Sequence, residues 1–206
     1  MSKKDYNNSF MSFGDDCDNT EYYQECLCEE EINLRDYMRL LWTQHVYWTR
    51  MTIISMINDL PDEETTTKRL LRNAKDFERA FRPFYNSKLA NQFGSLITDH
   101  LVIAAELVKA AKAGNKNATA NAEKRWYANA DEIVSFLAHI NSFWSEGDMR
   151  QMWYNHLALT KSEAVAILTG NYAKSISIFD QIEELALRMA DEFADGIIKQ
   201  FPPRTE

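Results

Sequence analysis

The chain has 206 residues, enough for one domain with a substantial core. A hydrophobic content of 45% with only six glycines and four prolines excludes disordered and collagen-like classes, and it argues against sheets, which need turn residues. The formal charge of −8 excludes the basic surface from which nucleic-acid binding draws its affinity, so no nucleic-acid partner is expected.

In chain order, residues 1–31 come first and hold two lysines against nine carboxylates, a net charge of −7 that leaves the remainder close to neutral. Low hydrophobicity and high charge predict a flexible acidic tail over 1–31 and a helical domain over 32–203. The tail's aromatics Tyr6, Phe10, Phe13, Tyr22 and Tyr23 offer contacts to a protein partner. All three cysteines, Cys17, Cys26 and Cys28, lie in the tail; their odd number and close spacing fit neither a disulfide framework nor a zinc knuckle. The start, MSKKDYNNSF, is followed by no apolar segment, which predicts a protein without a secretory signal and a cytoplasmic location. The longest apolar stretches, such as LVIAAELVKAA, carry charges and fall short of the ~20 residues a membrane span needs.

From residue 32 onward apolar residues recur at helical spacing and predict six helices, over about 32–59, 63–82, 87–113, 118–140, 146–169 and 171–200. Pro61, Pro83, Gly114, Gly170 and Pro202 supply the stops, and Asp62 a start signal for the second helix. No segment sustains period-two alternation. The predicted fold is all-α, an antiparallel up-down helical bundle built from three repeated helical hairpins.

The repeat is carried by three histidines. LWTQHV at Leu41–Val46 returns as LITDHL at Leu96–Leu101 and as MWYNHL at Met152–Leu157, placing His45, His100 and His156 at intervals of 55 and 56 residues. Flanking positions at −7, −4, +3 and +7 are mostly apolar (Met38, Leu41, Trp48 and Thr52 in the first copy), so each His lies on a buried stripe. The return helices repeat too: KRLLRNAKDF and KRWYANADEI put Asn73 and Asn129 at matching positions, 56 apart. Helix rise places each His and its Asn within about a turn of the same height. The third return helix has no clear Asn, only Ser175 on the stripe and Asp180 off it.

Three imidazoles on parallel helices inside a bundle are ligands for a transition metal ion, with Fe, Zn and Cu all open. On this reading His45, His100 and His156 bind the ion, and Asn73 and Asn129 hold a water, an anion or a small polar ligand. Gln44, Asp99 and Asn155 each precede a His by one residue, a step of ~100° around the helix, and would orient a His of a neighbouring repeat. Glu163 is the one carboxylate on a His stripe; lying ~10 Å beyond His156, it would serve a second metal-binding layer with Thr52. Arg50 is expected to face outward or to pair with Asp36 or Asp59, and His139 to pack or cap near a helix end. The aromatics Trp42, Tyr47, Trp48, Trp126, Tyr127, Trp153 and Tyr154 would surround the polar layer.

The same residues admit a second reading, in which the His/Asn layer only sets helix register and the protein is a structural or interaction protein, spore-associated, whose N-terminal tail does the binding; a homo-oligomer is open on either reading. An enzyme of metal-dependent oxidation or hydrolysis is a third, with no substrate indicated. No Glu-x-x-His or His-x-x-x-His motif of di-iron sites occurs.

HVYWTRMTIIS, RLLRNAKDF with RPFY, DHLVIAAELVKAAKAG, KRWYANADEIVSFL and GIIKQFP together resemble a family of all-helical proteins of spore-forming Firmicutes, over about residues 34–203. The resemblance implies a helical fold that shares these His/Asn motifs. Some members carry the label acetylglutamate kinase, an α/β enzyme with glycine-rich phosphate loops; the six glycines here, Gly14, Gly94, Gly114, Gly147, Gly170 and Gly196, are all isolated.

Overall fold

The computed structural model describes residues 29–202. These form six helices: α1 (Glu29–Ile57), α2 (Glu63–Phe81), α3 (Ser87–Lys112), α4 (Lys116–Ile140), α5 (Glu146–Leu168) and α6 (Tyr172–Gln200), with no strand among the described residues. None is long and apolar enough to cross a membrane. The three cysteines and the aromatics proposed for partner contact lie outside the described residues.

Local chemistry explains most helix boundaries. Glu29, Glu30 and Glu31, expected in the tail, are helical and belong to α1; carboxylates in a helix's first turn interact favourably with its exposed N–H groups. Gly114 and Gly170 have φ of 68° and 73°, a left-handed conformation that glycine adopts without strain, and they end α3 and α5 as expected. Asn86, Asn115, Ser145 and Asn171 cap α3 to α6 by accepting a backbone N–H three residues on. Asp62 departs from expectation: it makes no side-chain cap for α2, and its carboxylate instead accepts the Ser55 hydroxyl at 2.8 Å, tying the end of α1 to the turn.

Each helix packs against its neighbours in the chain, α6 packs on α1, and α1 also touches α3 and α5. Along the α1–α6 seam the partners run Arg35–Asp195, Arg39–Asp191, Tyr47–Glu183 and Arg50–Ser175, one number falling as the other rises. The two partly exposed ion pairs among them, Arg35–Asp195 and Arg39–Asp191, contribute ~0.2–1 kcal/mol each. The larger stabilisation comes from the core, where Trp42, Phe77, Phe81, Phe93, Trp126, Trp153 and Phe193 are buried at roughly 1.5–3 kcal/mol apiece. A small second apolar cluster, Ile53, Met56, Val108 and Ile167, stands apart from this main core at the C-terminal ends of α1, α3 and α5.

Candidate functional site

α1, α3 and α5 bring His45, His100 and His156 together. Each ring offers a nitrogen, and these three nitrogens all lie within 4.8 Å of one another. Ring centroids are 6.1 Å apart for His45–His100, 5.5 Å for His45–His156 and 6.1 Å for His100–His156. All three residues are at most 2% exposed. The copies converge because each His sits on the buried stripe of its helix with an apolar residue three positions before it: Trp42, Ile97 and Trp153, all fully buried. Trp42 packs edge-on against His45 and His156, and Trp153 packs the same way against His100.

The return helices fix two of the rings. His45 Nδ1 lies 2.9 Å from Asn73 Oδ1, and His100 Nδ1 lies 3.2 Å from Asn129 Oδ1. Asn73 Nδ2 donates to the Leu41 carbonyl at 3.0 Å, and Asn129 Nδ2 to the Leu96 carbonyl at 3.2 Å. A carbonyl can only accept, so each amide must turn its NH₂ to the backbone and its oxygen to the His. Nδ1 of His45 and of His100 therefore carries the proton and donates. Nε2 is left with a free lone pair, the form that ligates a metal.

His156 lacks this support. Its Nδ1 has no hydrogen-bond partner among the described residues. Fifty-six residues beyond Asn129 the chain has Leu185, an apolar side chain where the other two return helices carry Asn. The indole N–H groups of Trp42, Trp126 and Trp153 and the hydroxyls of Thr52 and Thr160 are also buried without a partner among the described residues. A buried polar group ordinarily finds a partner, so this concentration at or near the His layer marks it as chemically unusual.

Burial makes the imidazolium form costly. It pushes His45 from 6.5 down to about 4, against a small opposing effect of the Asn73 hydrogen bond. It pushes His100 to about 3, with His45 adding to the depression and Asn129 opposing it. His156 is also held well below its ordinary value, first by burial and then by its two neighbours. At neutral pH the cluster is three uncharged imidazoles.

Four expected participants, Asp99, Glu163, Gln44 and Asn155, do not join the cluster. Asp99 is exposed, because the step from His100 turns it to solvent rather than toward a neighbouring helix; orientation of His45 and His100 falls to Asn73 and Asn129. Glu163 is buried, but the Arg50 guanidinium reaches inward to pair with it, so it forms no second layer with Thr52. Arg50 thus does not face out or meet Asp36 or Asp59. It also donates to the Ser175 carbonyl at 3.3 Å and the Ser175 hydroxyl at 3.4 Å, and lies 5.0 Å from the centre of the Phe179 ring. Burial raises the Glu163 pKa while Arg50 opposes the rise. Gln44 accepts from Arg69 at 3.0 Å rather than reaching a His, and Asn155 and His139 are exposed. Of the expected aromatics, Trp42, Trp126 and Trp153 surround the cluster, whereas Tyr47 is exposed and Trp48 packs under Arg69.

The chain matches no family model, no curated protein and no solved structure. Its functional reading therefore rests on this geometry.

Proposed function

We propose that this is a transition-metal protein in which His45, His100 and His156 hold one ion at the centre of an antiparallel bundle of three repeated helical hairpins. The observation that carries the reading is the convergence of three buried, neutral imidazoles, each with a ring nitrogen within 4.8 Å of the others, while an Asn holds the proton of two of them on Nδ1 and leaves Nε2 unprotonated. Nitrogens sharing one zinc at ~2.1 Å in tetrahedral geometry stand roughly 3.4 Å apart, so the rings need close in by only about an ångström or so. The hairpin repeat is supported by the His–Asn pairs recurring between α1 and α2 and again between α3 and α4.

Charge narrows the chemistry. Three imidazoles bring no negative charge, and Glu163 is already neutralised by Arg50. A bare divalent ion in such surroundings is strongly disfavoured. Zn²⁺, Fe²⁺ or Cu²⁺ would therefore carry an anionic ligand such as hydroxide in an open position, whereas Cu⁺ needs less compensation. This leaves a three-His site with one position for an exogenous ligand.

A second reading has its own support. Asn73 links α2 to the backbone of α1, and Asn129 links α4 to that of α3, as register-setting polar residues do in bundle cores. Elemental analysis of protein purified without a His tag separates the two. The metal reading expects close to one equivalent of Fe, Zn or Cu. Metal-free protein, together with a His100→Leu variant at least as stable as the parent, would leave only the register-setting role.

A further inference from the structure

Beyond the His layer, toward the C-terminal ends of α1, α3 and α5, the helices do not fill the space between them. One turn before each His, or nearly so, stand the bulky Trp42, Ile97 and Trp153. One turn after it stand Thr49, Ala104 and Thr160. Replacing large side chains by small ones at one level of a bundle leaves a gap. A crevice with a cavity volume of about 90 Å³ lies there, between the main core and the separate cluster containing Ile53, Met56 and Val108.

This crevice adjoins the candidate metal site. Trp126 lines it and packs on the His100 ring at 5.3 Å between centroids. Leu101 lines it and follows His100 in the chain, while Thr49 and Thr160 lie one turn, ~6 Å of helix rise, beyond His45 and His156. Ile57, Ala111 and Leu168 line its far end, where α1, α3 and α5 finish.

The lining is nearly all carbon. Thr49 and Thr119 spend their hydroxyls on the backbone carbonyls of His45 and Asn115, and Lys161 pairs with Glu123. Thr52 and Thr160, both at most 5% exposed, have hydroxyls without a partner among the described residues. The Trp126 indole N–H is likewise unpartnered among the described residues, but all three polar atoms are so deeply buried that the surface turned to the crevice is almost entirely carbon. Such a surface offers nothing to a phosphate, sugar or carboxylate and little to an ordered water. Apolar protein cavities of about 150 Å³ accept benzene or xenon. At about 90 Å³ this one takes something smaller.

We propose that the crevice binds a small, neutral, apolar molecule below the size of benzene, and that this molecule is dioxygen, held about one helical turn beyond the His layer. The occupancy of the crevice is independent of the metal; only its use by the ion rests on the metal reading.

Dissolved dioxygen is paramagnetic and speeds the relaxation of methyl groups it touches, so metal-free, methyl-labelled protein under oxygen pressure provides the test. Methyls of Ile53, Leu107 and Val108 should show an enhancement severalfold above those of Ile97, Ile133 and Leu157, which are as buried but packed. Ala104→Leu should bring the lining methyls down to the level of the packed ones, and Ala164→Val should do so in part if the first variant folds poorly. Equal enhancement in the two sets, or full enhancement persisting in a folded Ala104→Leu protein, would overturn the proposal. The same measurement on His100→Leu keeps the two ideas apart. Retained enhancement in a variant that binds no metal leaves the crevice standing whatever becomes of the ion.

Discussion

The Nδ1–H of His45 donates to Asn73 Oδ1 at 2.9 Å, and the other end of the same amide donates to the Leu41 carbonyl, one turn before His45 on its own helix. Asn73 therefore reads the position of α1 and sets the tautomer of its His with a single side chain. Replacing it by Leu removes both constraints while keeping the volume. Partners of this kind are worth about 10–100-fold in metal affinity, and competition titration of the Asn73→Leu protein should show a loss in that range. Nitrogen-detected NMR of the metal-free parent should find the proton on Nδ1 of His45 and His100. A proton on Nε2 of either would remove the argument that the lone pairs are available.

Acid should loosen the metal-free protein through its histidines. A folded-state pKa below the unfolded value means that the unfolded chain binds protons first, so stability is present above about pH 6.5 and is lost as pH falls. The window runs down to about pH 4 for His45 and about pH 3 for His100. For His45 alone, the drop from pH 7 to pH 4.5 corresponds to about 2 kcal/mol. Urea unfolding across this range measures it, and His45→Leu should flatten the response. A parent protein equally stable at both pH values would show that the rings are not buried in their neutral form.

Arg50 and Glu163 form the other buried polar group of consequence. Removing the arginine, as in Arg50→Met, strands a carboxylate that is 1% exposed, at an expected cost of about 3–5 kcal/mol near neutral pH. The Glu163 pKa, already raised by burial, rises further in that variant. A raised folded-state value favours folding below it, so the deficit should shrink between pH 7 and pH 5. The double variant Arg50→Met/Glu163→Leu should recover most of the loss. Denaturant unfolding of the three proteins at both pH values checks all of this.

Much of the candidate site was legible because its histidines recur at even intervals in the sequence. The 55- and 56-residue intervals of His45, His100 and His156 put each on the same stripe, and Asn73 and Asn129 shared a register that helix rise alone could level. Gly114 and Gly170 marked real stops, since few residues accept a positive φ. The rest depended on how helices are rotated against partners distant in sequence. Arg50 and Glu163 are 113 residues apart, and nothing local turns the arginine inward. Asp99 could face a neighbouring helix or solvent from the same helical position, and it faces solvent. Asp62 is a capping residue by type, but its carboxylate accepts the Ser55 hydroxyl instead. The gap beyond the histidines is written in Thr49, Ala104 and Thr160, but a hydrophobic stripe reports polarity, not volume.

The most direct test of the three-His site is titration of metal-free, untagged protein with Co²⁺, whose visible absorption is intense in four-coordinate nitrogen sites and weak in water. The signal should grow to saturation at one equivalent per chain and be lost in His100→Leu, while Asp99→Ala titrates like the parent. Absence of a saturable signal, or a signal that His100→Leu leaves unchanged, would contradict metal binding by His45, His100 and His156.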